Sequence, residues 1–492
     1  MRNTSIIRFY LTLATLITGH LGWPSNSVAQ VGNVTLYEGA TLIVGDGSSI
    51  ENSAFIVQNG RFSRVGSSGD IEAPDGAARV DLSGKTVMPT IVDTHTHIGI
   101  GAGTDAWLDG QAQRTDLISE LHQYAYAGVA VVTSMGWVSE PAFQVRAEYH
   151  PNAARLLVSG RGASVPLAHE PETIRRHEAG LPSRFEEDSN DVTSWIHNER
   201  QAKLYVRERA SQRVDHIKLW VDDRLGAELL MSPEIYGTII DEAHKHDIPV
   251  YAHIWHMRDA KGVVRAGADM LAHPVRGAYI DDEFVQLMKD NNTVQQTNMW
   301  IPWSYTITLE DGPTFWEDPL YLEMATSHDI DRFYEIAVNG PQPRTHEGQA
   351  PNVDALALNS LIYDRIVRNT ARLYDEGIKI ALGTEGWSFS TSGGFNGHKT
   401  LELLVKDVGL TPAQAIPIAT RNSAEALGLN HLGTVELGKT ASFIVLTANP
   451  LDEITNTRQI DDVYLYGHRV DREMIRRTYF SESVNPPDPI ND

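Results

Sequence analysis

The stretch Ile91–Gly99 reads IVDTHTHIG and places two histidines, His95 and His97, directly behind an apolar run. In a β-strand, residues two apart point to the same side, so the two imidazoles can converge on one ion. The apolar run also puts both histidines at the carboxyl end of a buried strand. The stretch therefore predicts a metal site that begins at the end of this strand.

Around this stretch, short apolar runs alternate with helical segments, a rhythm that is typical of parallel strands joined by crossover helices. Eight such strands indicate a (β/α)8 TIM barrel, a fold whose active sites lie at the carboxyl ends of the strands. The longest predicted insertions follow the third and seventh strands, at residues 161–192 and 301–352. The predicted strands are Val87–Asp93, Val129–Ser134, Arg155–Ser159, His216–Trp220, Pro249–His253, Met270–His273, Thr293–Thr297 and Ile378–Gly383.

The two ends of the chain have a different pattern, with short alternating strands separated by Asn-Gly and other glycine-containing turns. We predict one small β-sandwich domain formed from both termini, residues 30–88 and 431–480, with the barrel at 89–430 between them. Residues 481–492 are polar and rich in proline, which indicates a flexible tail.

The first 29 residues resemble a secretory signal. Arg2 and Arg8 precede the apolar run Phe9–Ile17, and the small residues Ser27–Ala29 follow where a signal peptidase would cut. A short buried helix and a retained anchor are the alternatives, although the run is shorter than the ~20 residues that span a bilayer. We expect an exported protein, periplasmic or secreted, with no membrane partner after the signal is removed.

Composition narrows the choice of partners and ligands. The 492 residues include 64 acidic and 41 basic side chains, a formal net charge of −23, which argues against a nucleic-acid partner. The chain has no cysteine, so any metal must be held by nitrogen and oxygen ligands.

Two further histidines end predicted strands, since His253 closes IPVYAH and His273 closes DMLAH. Each alone is explained as well by a structural role, but with His95 and His97 they indicate one site. A second pair, His244 and His246, has the same spacing inside a helical segment. Residues two apart on a helix do not face each other, so we expect this pair to be exposed at a helix carboxyl end.

Lys218 and Glu385 complete the set. Lys218 lies in the apolar segment DHIKLWVDD, and a buried lysine tends to lose its proton, after which the amine can take up carbon dioxide as a carbamate that bridges two cations. The alternative is an ion pair of Lys218 with Asp222 or Glu385. Glu385 closes IALGTEG, where a carboxylate can ligate metal and move a proton during hydrolysis.

These segments resemble the amidohydrolase superfamily, and most closely its imidazolonepropionase-like and Xaa-Pro dipeptidase-like branch, which includes ochratoxin-type amidases. The matching pieces run in family order over nearly the whole of residues 33–470. They are VMPTIVDTHTHIG, DHIKLWVDD, VYAHIWH, MLAHPV, IALGTEG, IATRNSAEALGL and LGTVELGKTASFIVL.

The resemblance implies two divalent metal ions, most simply zinc. One would be held by His95 and His97, the other by His253 and His273, with carboxylated Lys218 as the bridge. A hydroxide that bridges the metals would attack the substrate carbonyl while Glu385 accepts and returns the proton. The family pattern has Asp on the eighth strand, so Glu385 departs from it by one methylene, and misplacement on that scale can matter for a catalytic base.

Aromatic residues near the predicted strand ends, Trp255 and Trp387 among them, either line an apolar pocket or pack the insertions on the barrel. Arg276 either clamps a substrate carboxylate or forms a surface salt bridge. We therefore expect hydrolysis of an amide bond in a small molecule, next to an apolar or aromatic group. The alternatives are lactone or ester hydrolysis, a non-hydrolytic metal-dependent reaction, and a non-catalytic barrel. Oligomeric state is left open, a homo-oligomer included.

Overall fold

The computed structural model describes residues 34–99, 113–136, 140–165, 193–223, 229–310, 318–325, 355–386 and 393–480. The predicted signal at 1–29, the predicted tail at 481–492 and Trp387 lie outside these ranges. Most of the two predicted insertions lies outside them as well.

Parallel strands form the centre of the described chain, in one sheet of three strands and one of seven. Hydrogen bonds also connect the two sheets: the Thr94 N–H donates to the Leu382 carbonyl at 2.9 Å, and the Asp215 N–H donates to the Val158 carbonyl at 2.8 Å. The α/β class is confirmed, and the parallel strands are consistent with a TIM-barrel-like fold. In sheet order, the strands are Arg155–Val158, Val129–Ser134 and Ile91–Thr96, and then Thr193–Trp195, Gly162–Ser164, Ile217–Val221, Val250–Ile254, Met270–Leu271, Val294–Gln296 and Ile380–Ala381.

The predicted first strand is wrong in its bounds. Val87–Asp93 is divided between two strands, Thr86–Pro89 and Ile91–Thr96, that belong to different sheets. At the division, the Thr90 N–H donates to the Ser442 carbonyl, and the next N–H, that of Ile91, donates to the Gly128 carbonyl. Both strands are buried throughout, so the apolar pattern does not show where the chain passes from one sheet to the other.

The predicted insertion at 161–192 also begins too early. Gly162–Ser164 is a strand that pairs with Thr193–Trp195 on one side and contacts Ile217–Val221 on the other. Ala163 pairs with Leu219 there. This piece is short, and glycine and serine are not typical of strands, which is why the sequence pattern did not indicate it.

Helices follow most of the parallel strands and pack their apolar faces on them. Side-chain caps begin several; the Asn198 carboxamide, for example, accepts a hydrogen bond from the Gln201 N–H. No described helix combines the length and the apolarity that a membrane crossing needs. The α-helices are Arg114–Tyr126, Glu140–Ala147, Glu199–Ser211, Pro233–His244, Met257–Arg265, Asp282–Asn291, Trp300–Glu310, Pro319–Met324, Ala355–Asp375, Phe395–Lys406, Pro412–Pro417, Ser423–Ala426 and Arg472–Tyr479, with a π-helical turn at Ile418–Asn422 and 3-10 turns at Ser68–Asp70 and Ile454–Arg458.

Two further sheets contain the strands near the chain ends. Aromatic rings from the two sheets pack edge to face: the Tyr37 ring lies 5.3 Å from the Phe443 ring and 5.4 Å from the Tyr464 ring, between centroids. The six-stranded sheet takes strands from both ends of the chain. In order, the sheets are Arg61–Ser67, Ser53–Gln58, Thr35–Glu38 and Ala78–Asp81, and then His468–Arg469, Ile460–Leu465, Phe443–Leu446, Thr86–Pro89, Thr41–Ile43 and Ser49–Ile50.

Candidate metal centre

The four histidines and Glu385 lie at the carboxyl ends of parallel strands, whereas Lys218 is the second residue of the strand Ile217–Val221. Three of them are inside strands: His95 in Ile91–Thr96, Lys218 in Ile217–Val221 and His253 in Val250–Ile254. The others follow a strand: His97, His273 and Glu385 come after Ile91–Thr96, Met270–Leu271 and Ile380–Ala381. Because parallel strands end at the same edge of a sheet, these distant positions meet.

Three of these side chains can hold one ion. One ligand atom each from His95, His97 and Glu385 lies within 4.8 Å of the other two, and all three residues are buried. The carboxylate oxygen Oε1 of Glu385 lies 3.8 Å from His97 Nε2. Imidazole and carboxylate are ligands that zinc accepts.

The two other histidines are continuous with this cluster. The His273 ring lies 5.1 Å from the His95 ring and 4.2 Å from the His253 ring, between centroids. The second carboxylate oxygen of Glu385, Oε2, lies 3.3 Å from His273 Nδ1. Glu385 therefore contacts both of the histidine pairs that the sequence indicated.

Burial sets the protonation of the cluster. Desolvation lowers the pKa of His95 and of His273 well below the ordinary value and also lowers the pKa of His97, so the imidazoles are neutral at pH 7, the form that binds metal. Desolvation also lowers the pKa of Lys218 to about 7. The buried Nε2 atom of His95 has no hydrogen-bond partner in the described part of the chain, and a divalent cation would satisfy it. The donor set therefore fits such an ion.

Lys218 is buried, and its ammonium nitrogen lies 5.4 Å from the centre of the Trp220 ring. Its charge contributes to lowering the pKa of His95, His97 and His273, which shows that it is electrostatically coupled to the cluster. Of the two acids proposed as its ion-pair partner, Asp222 contacts His253, with 3.1 Å between Oδ2 and Nε2.

Arg276 and Trp255 are not on an open surface. The Arg276 guanidinium lies against His273 Nδ1 and stands over the Trp255 ring at 5.2 Å from its centre. Both side chains are at most 2% exposed. A surface salt bridge for Arg276 is therefore wrong, since the guanidinium orients a residue of the cluster. Trp255 packs in the core beside the site rather than on a free loop.

The second histidine pair behaves as expected. The helix that contains it ends at His244, and His246 follows two residues later, so they cannot form a paired site. Both are exposed, and His244 Nε2 lies 3.0 Å from Asp269 Oδ2.

Glu385 has an unusual backbone. Its φ is +62°, in the left-handed region, and its N–H donates to the His95 carbonyl at 2.8 Å. Such a conformation costs a glutamate ~1–3 kcal/mol and is found most often at functional sites. With this main-chain conformation the Glu385 carboxylate faces His97 and His273.

Four polar residues support the cluster, and the sequence had indicated only one of them, Asp222, as a possible ion-pair partner of Lys218. Asn298 Nδ2 donates to the Ala272 carbonyl at 2.6 Å and lies 3.3 Å from Glu385 Oε2. The buried Asp93, whose pKa desolvation raises to about 7, accepts from Thr384 Oγ1 at 2.6 Å. Gln296 contacts His95, and Asp222 contacts His253. Their one signal in the sequence is their place at strand ends.

Comparisons with known proteins show similarity to amidohydrolases. The sequence profile described as the amidohydrolase family matches residues 231–470. The match covers 240 of the 492 residues, just under half of the chain. An uncharacterized protein of Mycobacterium tuberculosis is 24% identical over 224 residues, which are 45% of this chain and 52% of that protein. The chain thus spans about half the length of this relative.

Two further matches cover most of the chain. Ochratoxinase of Aspergillus niger is 23% identical over 456 residues, 86% of this chain and 82% of that protein. The crystal structure of a putative prolidase from Bifidobacterium longum superposes with a TM-score of 0.66 at 21% identity, over 90% of this chain and 98% of that one. At this identity the superposition concerns the fold of the amidohydrolase, not its substrate.

Proposed function

We propose that this amidohydrolase is a metal-dependent enzyme that cleaves the C–N bond of an amide in a small molecule. The observation that carries the proposal is the buried group of His95, His97 and Glu385, whose ligand atoms lie within 4.8 Å of one another. Neutral imidazoles and a carboxylate at the carboxyl ends of parallel strands are the arrangement expected of a catalytic metal site.

The proposed cofactor is a pair of zinc ions. His95 and His97 would hold one and His253 and His273 the other, with a carbamate on Lys218 between them. A pKa of about 7 supports the carbamate, because a large fraction of the Lys218 amine is then neutral and able to react with carbon dioxide. When bound, the cations supply a polarised carbonyl and a water of lowered pKa.

In this proposal Glu385 carries out the proton transfers. One carboxylate oxygen faces His97 and the other faces His273, so Glu385 stands at the junction of both histidine pairs. It would accept a proton from the attacking water and return it to the amide nitrogen as the C–N bond breaks and the C–O bond forms. Asn298 restrains this carboxylate from the side of the strand Val294–Gln296.

The proposed substrate is a small molecule with an apolar or aromatic group beside the scissile amide. The similarity to an ochratoxinase and to a putative prolidase supports this class. Arg276 would bind a carboxylate of the substrate with the guanidinium N–H groups that do not contact His273. Lactone or ester hydrolysis is the second candidate, and the replacement of the family Asp by Glu385 with its left-handed backbone is the observation that favours it.

The remaining features of the proposal concern fold and location. We propose a closed (β/α)8 barrel at 89–430 and a β-sandwich from 30–88 and 431–480. The hydrogen bond from Thr94 to Leu382 supports closure, and the shared aromatic packing supports the sandwich. Residues 1–29 would direct export to the periplasm or the medium.

The test combines metal analysis with a substrate panel. Protein dialysed against zinc and bicarbonate is analysed for bound metal, then assayed on N-acyl aromatic amino acids, Xaa-Pro dipeptides and aromatic lactones. We expect two zinc ions per chain and amide hydrolysis that a chelator abolishes. Protein that binds no metal contradicts the proposal, and hydrolysis of lactones alone supports the second candidate instead.

A further inference from the structure

A buried glutamine outside the ligand set contacts one of the proposed ligands. Gln296 is fully buried at the end of the strand Val294–Gln296. Its carboxamide lies between Thr94 and His95, two residues of the strand Ile91–Thr96. The oxygen Oε1 is 2.8 Å from His95 Nδ1, and the nitrogen Nε2 is 2.7 Å from the Thr94 carbonyl.

The partners of Gln296 determine which way its amide faces. The Thr94 carbonyl can only accept, so the atom beside it must be the NH2 group. Thr94 Oγ1 points the same way: it donates its own proton to the Leu382 carbonyl at 2.7 Å, and it accepts from Gln296 Nε2 at 3.0 Å. A flipped amide would place an oxygen against the carbonyl. The carboxamide oxygen of Gln296 therefore faces His95.

This orientation in turn determines the tautomer of His95. Two acceptors face its Nδ1 atom, Gln296 Oε1 at 2.8 Å and the Ala272 carbonyl at 3.2 Å. Asn298 Nδ2 is also near Nδ1, at 2.9 Å, but its two protons have oxygen acceptors in Ala272 and Glu385. A proton on Nδ1 satisfies the two oxygens, whereas a lone pair there would be repelled by both. The lone pair of His95 is then on Nε2, the buried atom that lacks a hydrogen-bond partner among the described residues.

We propose that Gln296 is a positioning residue that holds His95 in the tautomer whose Nε2 lone pair binds metal. The inference rests on the proposed metal-dependent function. Hydrogen bonds of this kind to a ligating histidine fix the ring and raise its basicity, and their loss typically weakens metal binding 10–100-fold. A series of hydrogen bonds thus links Leu382, Thr94, Gln296 and His95. The orientation of His95 therefore depends on residues from three strands.

The chain offers a matched control in the preceding residue. Gln295 is equally buried on the same strand, but its Nε2 donates to the carbonyls of Leu271 and Gln296, and neither of these contacts is to a histidine. Gln295→Met and Gln296→Met remove the same group from neighbouring buried positions. Gln296→Glu retains an acceptor oxygen, and as the neutral acid it can still donate to Thr94.

The experiment measures zinc affinity by chelator competition and the tautomer of His95 by ¹⁵N NMR of histidine-labelled, zinc-free protein, with His95→Asn for assignment. We expect Gln296→Met to bind zinc 10–100-fold more weakly and to lose the Nδ1–H signature of His95. Gln295→Met should remain within about twofold of wild type, and Gln296→Glu should restore most of the affinity lost in Gln296→Met.

Equal zinc affinity in wild type and Gln296→Met overturns the inference, as does an Nε2–H tautomer of His95 in the wild type. Equal losses in both Met variants also overturn it, because they would show a general cost of removing a buried amide. A wild-type protein that binds no zinc contradicts the proposed function itself, which is a separate outcome.

Discussion

His97 and Glu385 meet at the carboxyl edge of the parallel strands, with 3.8 Å between His97 Nε2 and the carboxylate oxygen Oε1. The two residues follow the first and the last parallel strands of the described chain. The other oxygen of Glu385 faces His273, so one carboxylate connects histidines that would serve different cations. A side chain in this place is expected to affect turnover more than folding.

Glu385→Gln tests that expectation. The amide keeps the size of the side chain but cannot accept a proton, so we expect most of the bound metal to remain while kcat falls ~10²–10⁴-fold. Metal content and kcat are measured on the same preparation. Full activity in this variant would remove Glu385 from the mechanism.

Glu385→Asp tests whether the position of the carboxylate matters when its chemistry is kept. Aspartate tolerates the left-handed backbone better than glutamate, so the free energy of unfolding should not fall. The carboxylate, however, is drawn back from His97 and His273, and we expect a lower kcat with the pH profile retained. An unchanged kcat would show that the extra methylene of Glu385 has no catalytic role.

Lys218→Ala tests the carbamate. The pKa of Lys218 is lowered from its ordinary value to about 7, so the neutral amine, which reacts with carbon dioxide, increases as pH rises through 7. We expect a ¹³C carbamate signal from labelled bicarbonate to grow over that range in zinc-loaded wild type. The signal and at least one zinc ion should be lost in the variant.

Lys399→Met is the matched control for Lys218. Burial also lowers the pKa of Lys399, which lies over the Trp303 ring at 4.3 Å, but its hydrogen-bond partner is Glu402 and not a histidine. This variant should keep both zinc ions and the carbamate signal. A Lys218→Ala protein with full metal content would rule out the bridge.

Arg276→Lys tests substrate binding. If the guanidinium binds a substrate carboxylate, KM should rise ~10–100-fold for N-acyl amino acids, since a hydrogen bond to a charged group contributes ~1.5–3 kcal/mol. KM for the corresponding carboxamides should change little. A similar rise for both substrate classes would indicate that Arg276 acts only through its bond to His273.

His398→Gln tests an acid-sensitive position remote from the site. Burial lowers the pKa of His398 to about 4, and its Nε2 lies 2.8 Å from the Ala127 carbonyl. Between pH 6.5 and 4 the unfolded chain binds a proton there and the folded chain does not. The free energy of unfolding therefore falls as pH falls, by up to ~1.4 kcal/mol per pH unit.

Glutamine at position 398 can still donate to Ala127 but does not titrate. We expect the free energy of unfolding, from denaturant titrations at several pH values, to fall less steeply with acid in His398→Gln than in wild type. Equal slopes in wild type and His398→Gln would contradict the assignment.

Local patterns were sufficient for much of the site. Lys218 and His253 are in strands, as predicted, whereas His95 lies inside Ile91–Thr96 although the predicted strand ended at Asp93. The helical spacing of their segment likewise indicated that His244 and His246 do not form a metal site. The passage of the chain from one sheet to the other at Thr90 was not predicted. Both of the strands that meet there are buried throughout, so the sequence shows no alternation of apolar and polar residues that would mark the division.

The sequence by itself determined which residues could act as ligands and at which strand ends they would lie, since these properties depend on residue type and short-range periodicity. Only the tertiary structure decided how the ligands are held. Gln296, Asn298 and Asp93 have no distinguishing pattern of their own; they become supports only where strands distant in the chain come within hydrogen-bond distance of His95 and Glu385. Hydrogen-bond direction and the left-handed backbone of Glu385 are set by those contacts, which no local pattern contains.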